Sequence, residues 1–262
     1  MQPTRNSKPW RVLIALVAAG LVSWAFGGWG AGRVRGEPTP PVTDPAQVSA
    51  QLIAKARQSY QNVRDYTAIF IKRERVGNEL QPENVIAMRV RSQPFSVYLR
   101  WLAPKQLVGQ EACYVAGKNN GQMRVHSNGL LAAVGWVSID PRDPRAMRMN
   151  RHDITQAGIG NLIERIARRS EGPRPPGYTL NIGEYEYNKR RCTRVEAIAP
   201  QPGSAYAYRC LVYYDQENHL PIRFEAYDWP KPGGDPNGDL LECYSYVDLK
   251  LNVGLTDAAF NY

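Results

Sequence analysis

The residues that could carry acid–base or nucleophilic chemistry are few and scattered. The three histidines, His126, His152 and His219, lie far apart in the chain. The sequence lacks the glycine-rich phosphate loops, the H-E-x-x-H zinc motif and the G-x-S-x-G nucleophile motif. A hydrolase would need His152 or His219 within hydrogen-bond distance of a serine or a carboxylate in a cleft. The sequence therefore predicts no catalytic residue, no metal site and no cofactor, and it favours a protein that is not an enzyme.

A dense group of arginines lies in the middle of the chain, just before a predicted helix. Arg142, Arg145, Arg148 and Arg151 recur every three residues, and His152 follows them. Because the N-terminus of a helix favours anions, Arg148, Arg151 and His152 are candidates for binding a phosphate or carboxylate head group. The alternative is a surface loop whose arginines form ion pairs with the neighbouring aspartates, Asp140, Asp143 and Asp153.

Two neighbouring segments alternate between apolar and polar residues, as strands with one buried face do. The apolar positions can form ordinary core, or part of this face can line a cavity for an acyl chain. The two interpretations are compatible, because one sheet face can be core at one end and pocket at the other. The candidate lipid-binding residues are Ile86, Met88, Val90, Phe95, Val97, Leu99 and Trp101.

The N-terminus has the pattern of an export signal. Basic residues flank an uncharged run of 21 residues, Val12–Gly32, which is typical of a cleaved signal peptide and is also long enough to anchor the chain in a membrane. Residues 1–36 hold five Lys or Arg and no Asp or Glu, so the formal charge of +9 falls to +4 for the remainder. This small excess argues against nucleic-acid binding. We expect the remainder to lie in the periplasm or on the outer face of the inner membrane, with membrane contact only through residues 12–32 if they are retained.

Four cysteines in an exported chain suggest disulfides rather than metal ligands. Cys192 and Cys210 are equidistant from Gln201, which lies in a loop with the composition of a hairpin turn. Directly opposed residues of such a hairpin are within bonding distance, so the sequence predicts a Cys192–Cys210 disulfide. For Cys113 and Cys243, a second disulfide and two buried free thiols both remain open.

The elements needed to position these residues are mostly strands. A proline-rich linker covers residues 37–43, and Asp44 followed by Pro45 predicts the start of a first helix. Asp153 and Gln156 predict the capped start of a second helix. Ten or eleven predicted strands fill the rest of residues 44–262, including segments 130–139, 190–199 and 205–215. Together they predict a single mainly β (α+β) domain, a curved antiparallel sheet or half β-barrel whose concave face is covered by two helices.

With these segments identified, the chain resembles the exported bacterial proteins grouped as domain of unknown function 1571. The resemblance spans roughly residues 45–260, and Asp153 stands where the family often has a proline. The residues that carry it include Tyr66–Ala68, Lys72–Val76, Pro94–Leu99, Met147–Arg148, Asn150–His152, Leu220–Arg223, Glu225–Pro230 and Asp248–Asp257.

That family is more distantly similar to the LolA-type periplasmic lipoprotein carriers. The resemblance implies a half barrel that holds lipid chains on an apolar face, although no motif matches a carrier's functional positions residue by residue. We therefore expect a cell-envelope protein that binds a lipid or a lipoprotein acyl chain. The alternative is an interaction module that binds an envelope protein or a wall polymer through an outer Tyr/Arg surface, for which the tyrosines near residues 206–214 are candidates: Tyr206, Tyr208, Tyr213 and Tyr214.

Overall fold

The computed structural model describes residues 44–172 and 174–262, which form three α-helices and twelve strands. The predicted export segment and linker, residues 1–43, lie outside this part of the chain. The helices are α1 (Pro45–Tyr60), α2 (Pro144–Met147) and α3 (Ile159–Ser170). The strands are β1 (Asp65–Val76), β2 (Glu79–Leu80), β3 (Asn84–Arg91), β4 (Ser96–Ala103), β5 (Glu111–Val115), β6 (Met123–His126), β7 (Trp136–Ile139), β8 (Thr179–Tyr187), β9 (Arg190–Ile198), β10 (Arg209–Asp215), β11 (Pro221–Tyr227) and β12 (Leu240–Leu251).

All of these strands belong to one open, curved, antiparallel sheet, so the predicted fold class is confirmed. Its order is β7-β6-β5-β4-β3-β1-β12-β11-β10-β9-β8, and β2 pairs with β1. Most neighbours in the sheet are also neighbours in sequence. The exception is β1, which pairs with β3 on one side and with β12 on the other and so joins the two halves of the sheet. The first and last strands of the described residues therefore meet in the middle of the sheet rather than at its edges.

Helices α1 and α3 cover one face of this sheet, which we call the inner face. Helix α1 begins after Asp44, whose carboxylate accepts a hydrogen bond from the Ala46 N–H, as the sequence predicts. It buries Ile53 and Ala56. Helix α3 buries an apolar stripe that joins the same core: Ile159, Leu162, Ile163, Ile166 and Ala167. Each helix thus presents to the sheet the apolar side that its periodicity indicates.

Helix α3 begins six residues later than the predicted cap at Asp153. Asp153 caps only a short 3₁₀ turn, in which it accepts a hydrogen bond from the Thr155 N–H. The chain then turns at Gly158, with a φ of +93°, and the Ile159 N–H donates to the Tyr66 hydroxyl at 2.8 Å. A side chain of the sheet therefore satisfies the first helical N–H, which a local sequence pattern could not reveal.

The predicted Cys192–Cys210 disulfide is wrong, because the strand register differs from a hairpin centred on Gln201. Cys192 lies opposite Asp215, and Cys210 lies opposite Ala197, so the two thiols point to opposite faces of the sheet. The connection between β9 and β10 spans residues 199–208 and is longer on its C-terminal side than the sequence suggested. All four cysteines are free thiols.

Cys113 and Cys243 are also too far apart to form a disulfide. They lie on β5 and β12, which are separated in the sheet by β4, β3 and β1. At about 4.8 Å per strand, this separation is close to 19 Å, whereas a disulfide needs a Cα–Cα distance of about 4.4–6.8 Å.

The outer face of β4 and β5 is not fully exposed to solvent, contrary to the alternation in sequence. The C-terminal segment packs against it and buries Tyr98, Cys113, Val115 and Phe260. The Tyr98 and Tyr262 rings stack with 4.6 Å between their centroids.

The predicted strand segment 130–139 is a strand only from Trp136, because residues 129–134 form a 3₁₀ helix.

No helix in residues 44–172 or 174–262 combines the length and the hydropathy needed to cross a membrane.

Replacing Tyr66 with phenylalanine should destabilise the protein by about 1–3 kcal/mol, because the buried Ile159 N–H would lose its acceptor. The change is measured as the free energy of unfolding in urea. Tyr114→Phe is the control, since the Tyr114 hydroxyl forms no hydrogen bond within the described residues. Equal stability of the two variants would contradict this role for Tyr66.

Because all four cysteines are free thiols, alkylation of the unfolded protein without a reducing agent should add four labels to each chain. Before unfolding we expect much slower labelling. Burial raises the pKa of Cys113, Cys192 and Cys243 to about 11 and that of Cys210 to about 12, and thiols in that state are poor nucleophiles. Mass spectrometry counts the labels, and a mass that corresponds to only two labels on the unfolded chain would show that a disulfide is present.

Candidate functional site

The inward side chains of β1 change from apolar to charged along the strand. Tyr66, Ala68 and Phe70 are followed, still at alternate positions, by Lys72 and Glu74, and all five are buried. The same change occurs on the neighbouring strand. In the β1–β12 register, Phe70 lies opposite Tyr246, Lys72 opposite Tyr244, and Glu74 opposite Glu242. The inner face therefore has an apolar end and an ionic end.

A cavity of about 400 Å³ lies on the inner face at the boundary between these two ends. Strands β1, β3–β7 and β12 form its wall, and the chain from α2 to the start of α3 lies over it. Its volume falls in the range of about 300–1,000 Å³ that is typical of small-molecule sites. The apolar part of the wall contains Phe70, Ile86, Leu99, Trp101, Leu107, Ala112, Met123, Val125, Val137 and Ile139.

The ionic end is built around Glu242, which has no exposed surface. Its carboxylate accepts hydrogen bonds from His152 Nε2 at 2.8 Å, from an Arg169 guanidinium nitrogen at 3.1 Å, and from the Tyr206 hydroxyl at 2.9 Å. The Tyr244 hydroxyl donates to the same carboxylate at 2.9 Å, and Arg151 Nε lies 3.7 Å away. Such a buried carboxylate is stable only because cations and donors surround it.

Glu74 continues the same network on the adjacent strand. It accepts hydrogen bonds from Lys72 Nζ at 2.9 Å and from the Arg151 backbone N–H at 3.2 Å. The Tyr244 hydroxyl lies between Glu74 and Glu242 and contacts both carboxylates. We call the eight residues of this network the Glu242 cluster: Lys72, Glu74, Arg151, His152, Arg169, Tyr206, Glu242 and Tyr244.

The pKa of Glu242 reflects these contacts. Burial by itself raises the pKa of a carboxylic acid. Here the hydrogen bond from His152 and the nearby charges of Arg169 and Arg165 outweigh burial, so the pKa of Glu242 lies well below its usual range. Burial, followed by the charges of Glu74 and Glu242, raises the pKa of Tyr244 well above that of a free tyrosine. At neutral pH, Glu242 is therefore an anion and Tyr244 keeps its proton.

The predicted lipid-binding residues divide between the cavity and the core. Ile86, Leu99 and Trp101 line the cavity. The other strand residues, Met88, Val90 and Val97, are fully or almost fully buried in the core beneath the helices. Phe95 lies in the turn before β4 and packs at the edge of that core.

The predicted head-group residues are also used in different ways. Arg148 lines the cavity, and no carboxylate of the described chain lies within 4 Å of it. Arg151 is engaged by Glu242, by the Tyr206 hydroxyl and by the backbone carbonyl of Arg75. His152 lines the cavity while bound to Glu242. Arg145 forms one of the local ion pairs of the alternative interpretation, since it lies 2.7 Å from Asp143.

His152 lies within hydrogen-bond distance of a carboxylate, Glu242, as the hydrolase alternative requires. In the described part of the chain, His152 forms no hydrogen bond with a Ser, Thr or Cys side chain. No group of three or more His, Cys, Asp or Glu residues in residues 44–172 and 174–262 is placed to hold a metal ion. The pair has the geometry of a buried structural contact that holds the segment before α3 against the sheet.

The tyrosines near residues 206–214 do not form one outer surface. Tyr206 reaches the Glu242 cluster, and Tyr214 is buried in the core. Tyr213 lies on the outer face beside Tyr185 and Tyr187. There the arginines stack on the rings, with Arg194 3.7 Å from the Tyr185 ring centre.

A second, smaller cavity of about 240 Å³ lies on the inner face of the other half of the sheet. Arg169 and Tyr206 belong both to its wall and to the Glu242 cluster. The remaining wall is mostly apolar and includes Ile166, Val212 and Phe224. The cluster therefore lies between the two cavities.

Sequence reasoning missed the residues at the centre of this site: Lys72, Glu74, Arg165, Arg169 and Glu242. One signal was available. Lys72 and Glu74 continue the period-two positions of Phe70, so their charges fall on the buried face of the predicted strand. A charge at such a position needs a buried partner, and this requirement points to an ionic site.

Replacing Glu242 with glutamine should reduce the free energy of unfolding at pH 7 by about 3–5 kcal/mol, because the buried cations would lose their anion. Since the folded pKa of Glu242 is lowered, its ionic stabilisation is complete above the ordinary value of 4.5 and is lost as the pH falls below it. The stability difference between wild type and Glu242→Gln should therefore shrink below pH 4.5.

The matched control is Glu164→Gln. Glu164 pairs with Arg57 between α3 and α1, but the two side chains are 47% and 42% exposed. Solvent screens such an exposed pair, so it contributes little to stability. Equal losses for the two variants in urea unfolding would contradict a central role for Glu242.

Several solved structures are similar to this chain. An uncharacterized conserved protein from Thermus thermophilus is 12% identical, with 82% of this chain and 94% of that chain covered and a TM-score of 0.47. Lipoprotein LppX from Mycobacterium tuberculosis is 13% identical, with 80% and 97% covered and a TM-score of 0.46. A LolA superfamily protein from Nitrosomonas europaea is 12% identical, with 82% and 97% covered and a TM-score of 0.33. At these values the similarity does not extend to a function.

No curated protein matches the chain. A family model described as "Protein of unknown function (DUF1571)" matches residues 63–262, as the resemblance predicts. The match includes all twelve strands and the whole Glu242 cluster. The chain belongs to the DUF1571 family.

Proposed function

We propose that this protein binds a lipid or a lipoprotein acyl chain in the larger cavity and does not act as an enzyme. The observation that carries the proposal is the cavity itself, with about 400 Å³ and a largely apolar wall built on the inner face of the sheet. The cavity adjoins the packed core, in which Met88, Val90 and Val97 are buried and do not line it.

The wall suits an alkyl chain better than a polar solute. Leu99, Trp101 and Val125 contribute apolar surface, and the Trp101 indole N–H is already satisfied by Asn84 at 2.7 Å. Each buried CH₂ group contributes about 0.8 kcal/mol, so ten contribute about 8 kcal/mol. Association itself costs about 4–15 kcal/mol. A chain held by apolar contact alone would therefore bind weakly, and the polar end of the ligand decides the affinity.

The proposed setting is the cell envelope, in the periplasm or on the outer face of the inner membrane. The export pattern of residues 1–36 supports this location. The free thiols are compatible with an oxidising compartment, because burial raises the pKa of each of the four cysteines and lowers its reactivity.

The direct test is native mass spectrometry of the protein expressed from its full-length sequence. We expect a bound mass that extracts into organic solvent, or binding of a C12 amphiphile added below its micelle concentration. An apo mass together with no binding of added amphiphiles would overturn the proposal. That result would favour the alternative function, an interaction module that binds an envelope protein or a wall polymer.

A cavity-filling substitution tests the location of the site. Val125→Trp places a large ring in the cavity wall and should weaken amphiphile binding about tenfold or more. Val134→Trp is the matched control, because Val134 is 67% exposed and lies outside the cavity. Competition with a neutral fluorescent probe measures both affinities, and equal affinities would place the ligand elsewhere.

A further inference from the structure

Arg165 carries a charge at the cavity that nothing in the described chain neutralises directly. It lies on α3 and lines the cavity, and its Nε is buried without a hydrogen-bond partner among the described residues. The aromatic contact it makes is with the Tyr244 ring, 5.5 Å from the guanidinium carbon. That contact is weaker than an ion pair with hydrogen bonds.

The nearby carboxylates are already occupied by other cations. Glu242 is bound by His152 and Arg169, and Glu74 is bound by Lys72. Within residues 44–172 and 174–262, no carboxylate oxygen lies within 4 Å of an Arg165 nitrogen. Arg165 therefore forms no ion pair with the Glu242 cluster, although it lies beside it and its charge favours the ionised Glu242.

The cavity as a whole has the same excess of positive charge. Four cations line it, Lys72, Arg145, Arg148 and Arg165, against two carboxylates, Glu74 and Asp153. Asp153 is bound within its own 3₁₀ turn and lies 3.5 Å from Arg142, which is outside the cavity. The cations without a carboxylate partner in the described chain are Arg148 and Arg165.

We infer that the ligand is an acidic amphiphile, whose carboxylate or phosphate is bound by Arg165 with Arg148 while its alkyl chain lies along the apolar wall. This inference rests on the proposed function and names the class of ligand. A guanidinium group suits either anion, because its N–H groups match two anionic oxygens at once. It keeps Arg148 from the predicted head-group residues and replaces Arg151 and His152 with Arg165, because those two contact Glu242.

The test compares three C12 amphiphiles with one chain and different heads. Dodecanoate and dodecyl phosphate, below their micelle concentrations, and dodecanol, below its solubility limit, are titrated at pH 7.5 into the full-length protein against a neutral fluorescent probe. We expect the two acids to bind about 10- to 100-fold more tightly than the alcohol. The ratio between the two acids shows whether the site prefers a carboxylate or a phosphate.

Arg165→Gln should abolish most of this preference while leaving the affinity for dodecanol within about twofold. Arg168→Gln is the matched control, since Arg168 lies on the same helix but is exposed and outside the cavity. If Arg165 served only to stack on Tyr244, its replacement would lower the melting temperature without changing the ratio of acid to alcohol affinity.

The outcomes separate this inference from the proposed function. Equal binding of acids and alcohol by the wild-type protein would overturn the inference and leave acyl-chain binding intact. Absence of binding by all three amphiphiles would overturn both. An unchanged preference in Arg165→Gln would show that Arg165 does not bind the head group.

Discussion

The burial of the Glu242 carboxylate is the constraint on which the inner face depends. Moving a carboxylate out of water costs several kcal/mol, and only a complete set of partners offsets that cost. Here the partners come from three separate segments. His152 precedes α3, Arg169 is in its last turn, and Tyr206 lies in the connection between β9 and β10. All three partners bind the same carboxylate, so the loss of one destabilises the contacts of the others. The three segments are therefore held against the sheet cooperatively.

This constraint also explains why the cavity has two chemically different ends. Arg165 and Arg169 are four residues apart and so lie on the same side of α3. Arg169 completes the cluster around Glu242, which leaves Arg165 beside it with its charge directed to the cavity. Away from the cluster, the inward positions of β3 and β4 are apolar, including Ile86 and Leu99. An amphiphilic ligand matches such a division better than a uniformly polar or uniformly apolar molecule does.

The side chains of the outer face are covered differently in the two halves of the sheet. Over β4 and β5 it is covered by the C-terminal residues, so Tyr98 and Cys113 are buried although they point away from the helices. Over β8 to β11 it carries arginines stacked on tyrosines, such as Arg223 4.9 Å from the Tyr187 ring centre. These rings are engaged within the chain, which weakens the case for a tyrosine-rich docking surface.

The sequence by itself determined most of the elements and the faces that they turn toward the core. Asp44 and Pro45 start α1, and the period of two in β3 directs Ile86 inward. These features depend on residues a few positions apart, for which backbone geometry sets the direction of each side chain. Family membership was also readable from short motifs.

Only the tertiary structure decided which of these side chains meet. His152 and Glu242 are 90 positions apart in the chain, and Arg151 and Glu74 are 77 apart. The Cys192–Cys210 prediction failed for the same reason. The turn residues around Gln201 do not set the register of β9 and β10 when the connection between these strands is long. That connection, residues 199–208, includes Tyr206, whose hydroxyl binds Glu242. Periodicity fixes the face on which a charge lies, but strand order and register fix its partner, because a buried ion pair forms between neighbours in space.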